Sequence, residues 1–173
     1  MKDTPVGVRA VRPTDAEALA ALYRYYVEET AISFEYAAPD AAEFRRRIEK
    51  TTAGYPYFVA VQNGEIVGYA YAGPFIPRAA YDCSAELSIY VKRGETGKGI
   101  GKLLYHTMER ALKKQGITHL YACIAYPEGE DPYVTMNSVD YHYHMGYSMA
   151  GYFKDCAVKF GRKYSMVWME KTL

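Results

Sequence analysis

The chain has 173 residues, half of them hydrophobic, which is enough to bury a sizeable core in a single domain spanning 1–173. Its 21 basic and 20 acidic residues leave a net charge of +1, too small a basic excess for a general nucleic-acid binder, so no nucleic-acid partner is expected. The N-terminal MKDTPVGVRAVRPTD lacks a signal peptide's apolar stretch and no run reaches membrane-spanning length, which points to a cytoplasmic protein with no membrane partner.

In chain order, VGVRAVR (6–12) alternates and predicts a first strand, closed by Pro13. Thr14 or Asp15 is placed to cap a helix over DAEALAALYRYYVEE, where Ala18, Leu22, Tyr25 and Tyr26 recur at helical spacing. TAISFEYAAPD reads as an extended loop. Pro39 and Asp40 open a second helix, AAEFRRRIEKTT, with Phe44 and Ile48 on one face and Gly54 at its end. YFVAV and EIVGYAYAGPF flank Asn63-Gly64, a two-residue turn whose type I′ geometry needs φ > 0 at both positions. SAELSIYV is a strand running straight into KRGETGKGIGK. The next segment, IGKLLYHTMERALKKQG, is an amphipathic helix with Leu103, Leu104, Met108, Ala111 and Leu112 as its expected buried stripe and Gly116 as its C-cap. THLYACIAY is a strand, YPEGEDPY a loop, VTMNSVDYHYHMG a short helix, and YSMAGYFKDCAVKF and YSMVWME the closing strands. The order βααβββαβαββ predicts an α/β (α+β) domain with a mixed sheet of six to seven strands and about four helices.

Two compositional features bear on chemistry. Tyrosine occurs 19 times against 6 Phe and 1 Trp, which predicts a tyrosine-rich core or dimer surface and, more sharply, a tyrosine-lined polar pocket. Cys83, Cys123 and Cys156 stand singly with no CxxC pair, as expected of buried free thiols in a reducing compartment rather than of a metal or disulfide framework.

The segment from Lys92 to Lys102 packs four glycines and four basic side chains into a strand-to-helix loop. A Walker A loop is excluded, because no window reads GxxxxGK and Leu103 follows where Ser or Thr would hold Mg²⁺. A dinucleotide fingerprint is excluded as well: Gly97, Gly99 and Gly101 are spaced GxGxG, and the loop follows the fourth strand instead of the first. What remains is a run of N–H groups from Thr96 to Lys102 aimed at an anion, reinforced by the helix dipole and the lysines, with a plain glycine-rich turn carrying solvated lysines as the alternative.

SIYVKRGETGKGIGKLLYHTMERAL resembles motif A of the GNAT N-acetyltransferases, whose strand–loop–helix holds the pyrophosphate of acetyl-CoA. YPYFVAVQNGEIVGYAYAGPF, AYDCSAELSIYV and SVDYHYHMGY are similar to the phosphinothricin N-acetyltransferase branch, so that the resemblance covers about residues 6 to 170. It implies the GNAT fold, acetyl-CoA as cosubstrate, and contacts from Thr96, Gly97, Lys98, Gly99, Ile100, Gly101 and Lys102 to the pyrophosphate. The family's QxxGxG or RxxGxG motif opens on Gln or Arg, whereas Thr96 stands there in this chain; Lys98, Lys102 and Arg93 are the expected compensating cations. By the same resemblance the backbone of Leu87 to Val91, chiefly the N–H and C=O of Ile89 and Val91 with Tyr90 between them, would meet the pantetheine arm beside Asn137 and Ser138.

Glu86 stands out without any family argument, because an acidic side chain in a central strand is costly to bury unless it is paired or protonated. A carboxylate paired at the sheet edge is one reading. The resemblance gives the other, a general base acting directly or through water. His142 lies four residues before Gly146, where this branch carries a histidine that would protonate the coenzyme A sulfur; Tyr141 and Tyr143 are alternative acids, and a structural histidine is the plain alternative. Asp140, His142 and His144 do not converge on a helix, so no metal is expected. For the acceptor, the family analogy points to Phe34 and Tyr81 as pocket walls and to Arg78 as the holder of an acidic group, with a solvated Arg78 as the plain alternative. The implied reaction is direct attack, in a ternary complex, by the amine of a small amino acid or analogue of the phosphinothricin or methionine sulfoximine/sulfone type. Neither Cys83 nor Cys123 has a candidate base nearby in sequence, which disfavours an acetyl-cysteine route. A GNAT acting on a protein amine and a non-catalytic acyl-CoA-binding module are the alternatives. The family habit and the tyrosine-rich C-terminal strands imply a homodimer.

Overall fold

The computed structural model describes residues 4–173. Its elements are β1 (Gly7–Ala10), α1 (Ala16–Glu28), α2 (Ala41–Thr52), β2 (Tyr57–Gln62), β3 (Glu65–Pro74), β4 (Ser84–Val91), α3 (Ile100–Lys114), β5 (His119–Tyr126), α4 (Asn137–His144), β6 (Ser148–Lys159) and β7 (Arg162–Thr172), with short 3-10 turns at Pro13–Asp15 and Ala79–Tyr81. The order of strands and α-helices is the expected one. The strands form one mixed sheet in the order β1-β2-β3-β4-β5-β7-β6, and only the β4–β5 pair is parallel.

Local chemistry explains most boundaries. Asn63 and Gly64 take φ of 52° and 81°, the left-handed pair that closes β2 onto β3. Asp40 Oδ1 accepts the Glu43 N–H at 2.8 Å and caps α2. Asp15 makes no side-chain cap on α1: its carboxylate accepts two N–H groups from Arg9, at 2.7 and 2.9 Å, and closes the Pro13–Asp15 turn by accepting the Arg12 N–H at 2.7 Å. The start of α1 is thereby tied to β1. Gly116 ends α3 at φ 87°.

Two helix faces differ from expectation. On α1 the buried residues are Ala16, Leu19, Ala20, Leu22, Tyr23, Tyr26 and Val27, while Ala18 is exposed. On α3 they are Ile100, Leu104, Tyr105, Met108 and Leu112, whereas Leu103 is exposed. In both helices a tyrosine is buried at a position where an aliphatic residue on the neighbouring face competes for the core, and periodicity alone does not choose between them.

The α1–α2 pair covers one face of β2–β4, packing on Tyr57, Val59 and Tyr69. On the opposite face α3 packs against β1–β4 and α4 against β5. The α1–α2 side of β5, β7 and β6 carries no comparable helix cover, so Cys123 and Cys156 are exposed there, as is Cys83 in the turn before β4; all three thiols are free. The expectation of buried thiols is corrected accordingly. Among the described residues no helix is long and apolar enough to cross a membrane.

Candidate active site

The parallel β4–β5 seam is only three residue pairs long: Ser84 with His119, Ala85 with Leu120 and Glu86 with Tyr121. Beyond it β4 continues to Val91 and β5 to Tyr126, so the strands part immediately after Glu86. A cavity of about 50 Å³ occupies the fork, lined by Leu87, Ser88, Ile89 and Tyr90 on one side, Ala122 to Ala125 on the other, and Tyr105, Ser138 and His142. The Val91 N–H and C=O, expected to be free for a ligand, are both bound by the Tyr26 hydroxyl. The Lys92 N–H donates to Val67 O on β3. With this alternation, the backbone groups of Ile89 face the fork and those of Tyr90 face β3. The Tyr90 ring packs among Tyr23, Tyr26 and Tyr69, with centroids 4.9 to 5.3 Å apart.

His142 is 2% exposed, and both of its ring nitrogens are engaged: Nδ1 lies 2.6 Å from Ser138 O and Nε2 lies 2.9 Å from the Tyr105 hydroxyl. A carbonyl oxygen only accepts, so Nδ1 carries the proton and Nε2 accepts from Tyr105. Burial pushes the imidazole pKa down to about 4, against a weaker opposing pull from Ser138. Tyr105, absent from the sequence reading, thus joins His142 at the fork wall; its place on α3, 37 residues before His142, left no local signal. Of the two other tyrosines considered as acids, Tyr143 is exposed, and Tyr141 is packed against Gly101 with a buried, unpartnered hydroxyl. A Cβ added to Gly101 would sit 3.1 Å from that hydroxyl, so glycine permits the close approach of α4 to α3.

In the loop between β4 and α3, Gly94, Gly97 and Gly99 have φ of 82°, 78° and 80°. Gly99 is the N-cap of α3 and no side chain satisfies the helix end. The Glu95 N–H bonds Lys92 O and the Leu103 N–H bonds Gly99 O; among the described residues, no N–H between them donates to another backbone carbonyl. A row of free donors at the positive end of a 15-residue helix fits a diphosphate. Thr96, Lys98 and Lys102 are exposed around it. Lys98 is paired with Glu95 at 2.9 Å, and Arg93 with Glu29 at 3.0 Å while lying over the Tyr25 ring. Lys102 forms no ion pair among the described residues, so of the three expected cations it alone is uncommitted. Asn137 is exposed at the first turn of α4, and Ser138 lines the fork.

Glu86 points to the α1–α2 side of the sheet, in register with Gly73 on β3 and Tyr121 on β5. It is half-buried, and burial raises its pKa above the ordinary carboxylate range with no partner offsetting the effect. The edge ion pair considered from sequence is therefore not made. Nearby, Cys123 keeps an exposed edge, but its sulfur lies 3.4 Å from Met166 Sδ; desolvation, and then the charge of Glu86, push the thiol up to about 11. A thiol held protonated is a poor nucleophile.

Around Glu86, Phe75 stacks on Tyr121 at 3.9 Å and meets Trp168 and Tyr81 edge-on at 5.5 and 6.2 Å. Phe34 sits in a different cluster, with Ala31, Ala125, Val134 and Tyr164, so the two expected pocket walls flank the site separately. Arg78 is exposed at the start of the turn carrying Tyr81. Between α2 and the β2–β3 hairpin lies a second cavity of about 600 Å³, reaching Gly73 and lined by tyrosines and Arg47.

A model of the acetyltransferase (GNAT) domain matches residues 8–168. A phosphinothricin N-acetyltransferase of Alcaligenes faecalis is 35% identical over 167 residues, covering 96% of this chain and 82% of the relative. Among solved structures, a phosphinothricin acetyltransferase of Sinorhizobium meliloti in complex with acetyl-CoA is 30% identical, with a TM-score of 0.87 over 100% of this chain and 89% of that one. A ribosomal-protein-alanine N-acetyltransferase of Brucella melitensis is also 30% identical, with a TM-score of 0.88 over 96% of this chain and 99% of that one.

Proposed function

The chain belongs to the GNAT acetyltransferases, and from that premise we propose that it moves the acetyl group of acetyl-CoA to the amine of an amino acid or amino-acid analogue. The observation that carries this reading is the three-pair β4–β5 seam, which ends at a half-buried carboxylate with a raised pKa. When bound, acetyl-CoA supplies an activated acyl carbon. The N–H groups from Gly97 to Lys102 hold its pyrophosphate, with Thr96 and Lys102 alongside, and Ile89 offers its N–H and C=O to the pantetheine arm at the fork, near Ser138. The acceptor enters as the neutral amine, and Glu86 takes one proton from its nitrogen, directly or through water, as nitrogen bonds the acyl carbon and the C–S bond breaks. The leaving sulfur takes its proton from the Tyr105 hydroxyl, which His142 Nε2 positions at the fork wall. Arg78 holds the acceptor's acidic group.

The test is coenzyme A release with phosphinothricin, methionine sulfoximine, single amino acids and polyamines, beside a short peptide with an N-terminal alanine. Turnover with an amino acid or analogue is expected. Turnover with the peptide alone would replace this reading with a protein-amine acceptor, the reading that the Brucella melitensis relative favours. We also propose a homodimer, on the support of Tyr152, Phe153, Val158 and Phe160, all exposed on the β6–β7 hairpin. A monomer by light scattering at micromolar concentration would rule it out.

A further inference from the structure

Gly73 is in register with Glu86, and a Cβ added to it would meet nothing within 4 Å. Its side therefore opens onto free space, and the cavity of about 600 Å³ begins there. This volume lies in the range of about 300–1,000 Å³ that accommodates drug-sized ligands, well beyond what a compact amino acid fills.

The walls are flat and aromatic. The Tyr69 and Tyr71 rings are within 14° of parallel, and Tyr57 is tilted by 33° and 35° to them, with centroids 5.2 to 6.4 Å apart. Tyr23, Phe44 and Tyr55 add further aromatic lining, and Lys50 and Thr51 line the side formed by the end of α2. Tyr57 and Tyr69 are 4% and 1% exposed, and no hydrogen bond contributes to the environment of either hydroxyl. These are neutral donors facing the cavity. The guanidinium of Arg47 is already held by Glu35 at 2.8 and 3.0 Å and by Glu43 at 2.8 Å. Lys50, the other lining cation, is exposed, so an anionic tail buried against the tyrosines would lose water without meeting a buried cation. A ring would instead find stacking and edge-on partners on several sides.

We propose that this cavity receives the acceptor's side chain, and that the acceptor is an amino acid or amine bearing an aromatic side chain, its nitrogen at Glu86. The inference rests on the acetyl-transfer reading above and narrows its substrate class. Tyr71, the more open of the parallel pair, meets the ring, Tyr69 packs behind it, and a tyrosine hydroxyl at the wall favours a ring that carries an oxygen acceptor. Gly73 is the passage between reacting nitrogen and ring.

The experiment compares kcat/KM for L-phenylalanine, L-tyrosine, L-alanine and phosphinothricin in the wild-type enzyme and in Gly73→Val, by coenzyme A release. Gly73 lies within β3 and outside the positive-φ set, so valine is compatible with the backbone. The aromatic amino acids are expected to exceed L-alanine and phosphinothricin by ten-fold or more in the wild type. Gly73→Val should lower the phenylalanine-to-alanine ratio at least ten-fold, and Gly73→Ala should move it in the same direction by less, which keeps the test readable if valine perturbs the strand. Turnover of alanine or phosphinothricin without an aromatic preference, or a ratio unmoved by both substitutions, would overturn the inference and leave acetyl transfer intact. Absence of turnover with every amine would remove the proposed function and this inference with it.

Discussion

His142 Nε2 accepts a hydrogen bond from the Tyr105 hydroxyl, which makes the imidazole a buried neutral base clamped between α3 and α4. In the unfolded chain the same ring takes up a proton near pH 6.5, while in the folded protein it does so only near 4. Between those values the unfolded state binds more protons, so stability falls as pH drops from 6.5 towards 4 and is fully present above 6.5. The loss attributable to this group is about 3 kcal/mol. Urea midpoints at pH 7 and 4.5 should differ less for His142→Gln than for the wild type; an equal difference would mean that the histidine is not buried neutral.

Glu86→Gln keeps the shape of the side chain but cannot accept the amine's proton. The expected result is a fall in kcat of about 10²- to 10⁴-fold with coenzyme A affinity unchanged. Because burial raises the Glu86 pKa, the wild-type rate should climb with pH through a value above the usual carboxylate range. The climb should be missing from the residual activity of the variant. A non-catalytic acyl-CoA-binding module would instead show no change on this substitution.

Thr96→Arg restores a long donor at the first position of the loop. With Lys98 and Arg93 committed to Glu95 and Glu29, the added guanidinium meets little competition for the diphosphate. The KM for acetyl-CoA should fall by about three- to ten-fold, and the fall should shrink at high salt. An unchanged KM would show that backbone donors already saturate the site.

Lys159, on β6, is 3% exposed and donates to Thr30 O at 2.8 Å and Ser33 O at 2.5 Å, pinning the loop that carries Phe34 and Glu35. Glu35 in turn holds Arg47 at the edge of the aromatic cavity. Lys159→Met should cost about 1–3 kcal/mol of stability, because two buried carbonyls lose their donor. It should also raise the acceptor KM while leaving that for acetyl-CoA in place. Thermal melts and two-substrate kinetics would check both parts.

The features legible in the sequence are those whose causes are local. Asn63-Gly64, Asp40 and Gly116 each meet a backbone requirement set by their immediate neighbours, and each does what that requirement predicts. The glycine loop was readable for the same reason. What could not be read depends on partners far along the chain. Tyr26 binds the N–H and C=O of Val91 across 65 residues, and the fork itself exists only because two separately formed strands diverge. Periodicity misplaced Ala18 and Leu103 because helices rich in alanine, leucine and tyrosine offer neighbouring apolar faces, and the sheet they pack on decides between them. Cys123 and Cys156 looked internal because their strands are apolar, yet one face of those strands has no helix over it.

The aromatic cavity belongs to α1, α2, β2 and β3, whereas the anion loop and the His142 clamp belong to α3 and α4 on the other side of the sheet. Tyr23 and Tyr69 touch the fork through Tyr90, but the rest of the cavity wall shares no residue with the glycine loop or with the His142 side of the fork. Under the proposed function, amine choice and thioester handling are thus assigned to opposite faces of one sheet, where each can be altered by its own substitutions.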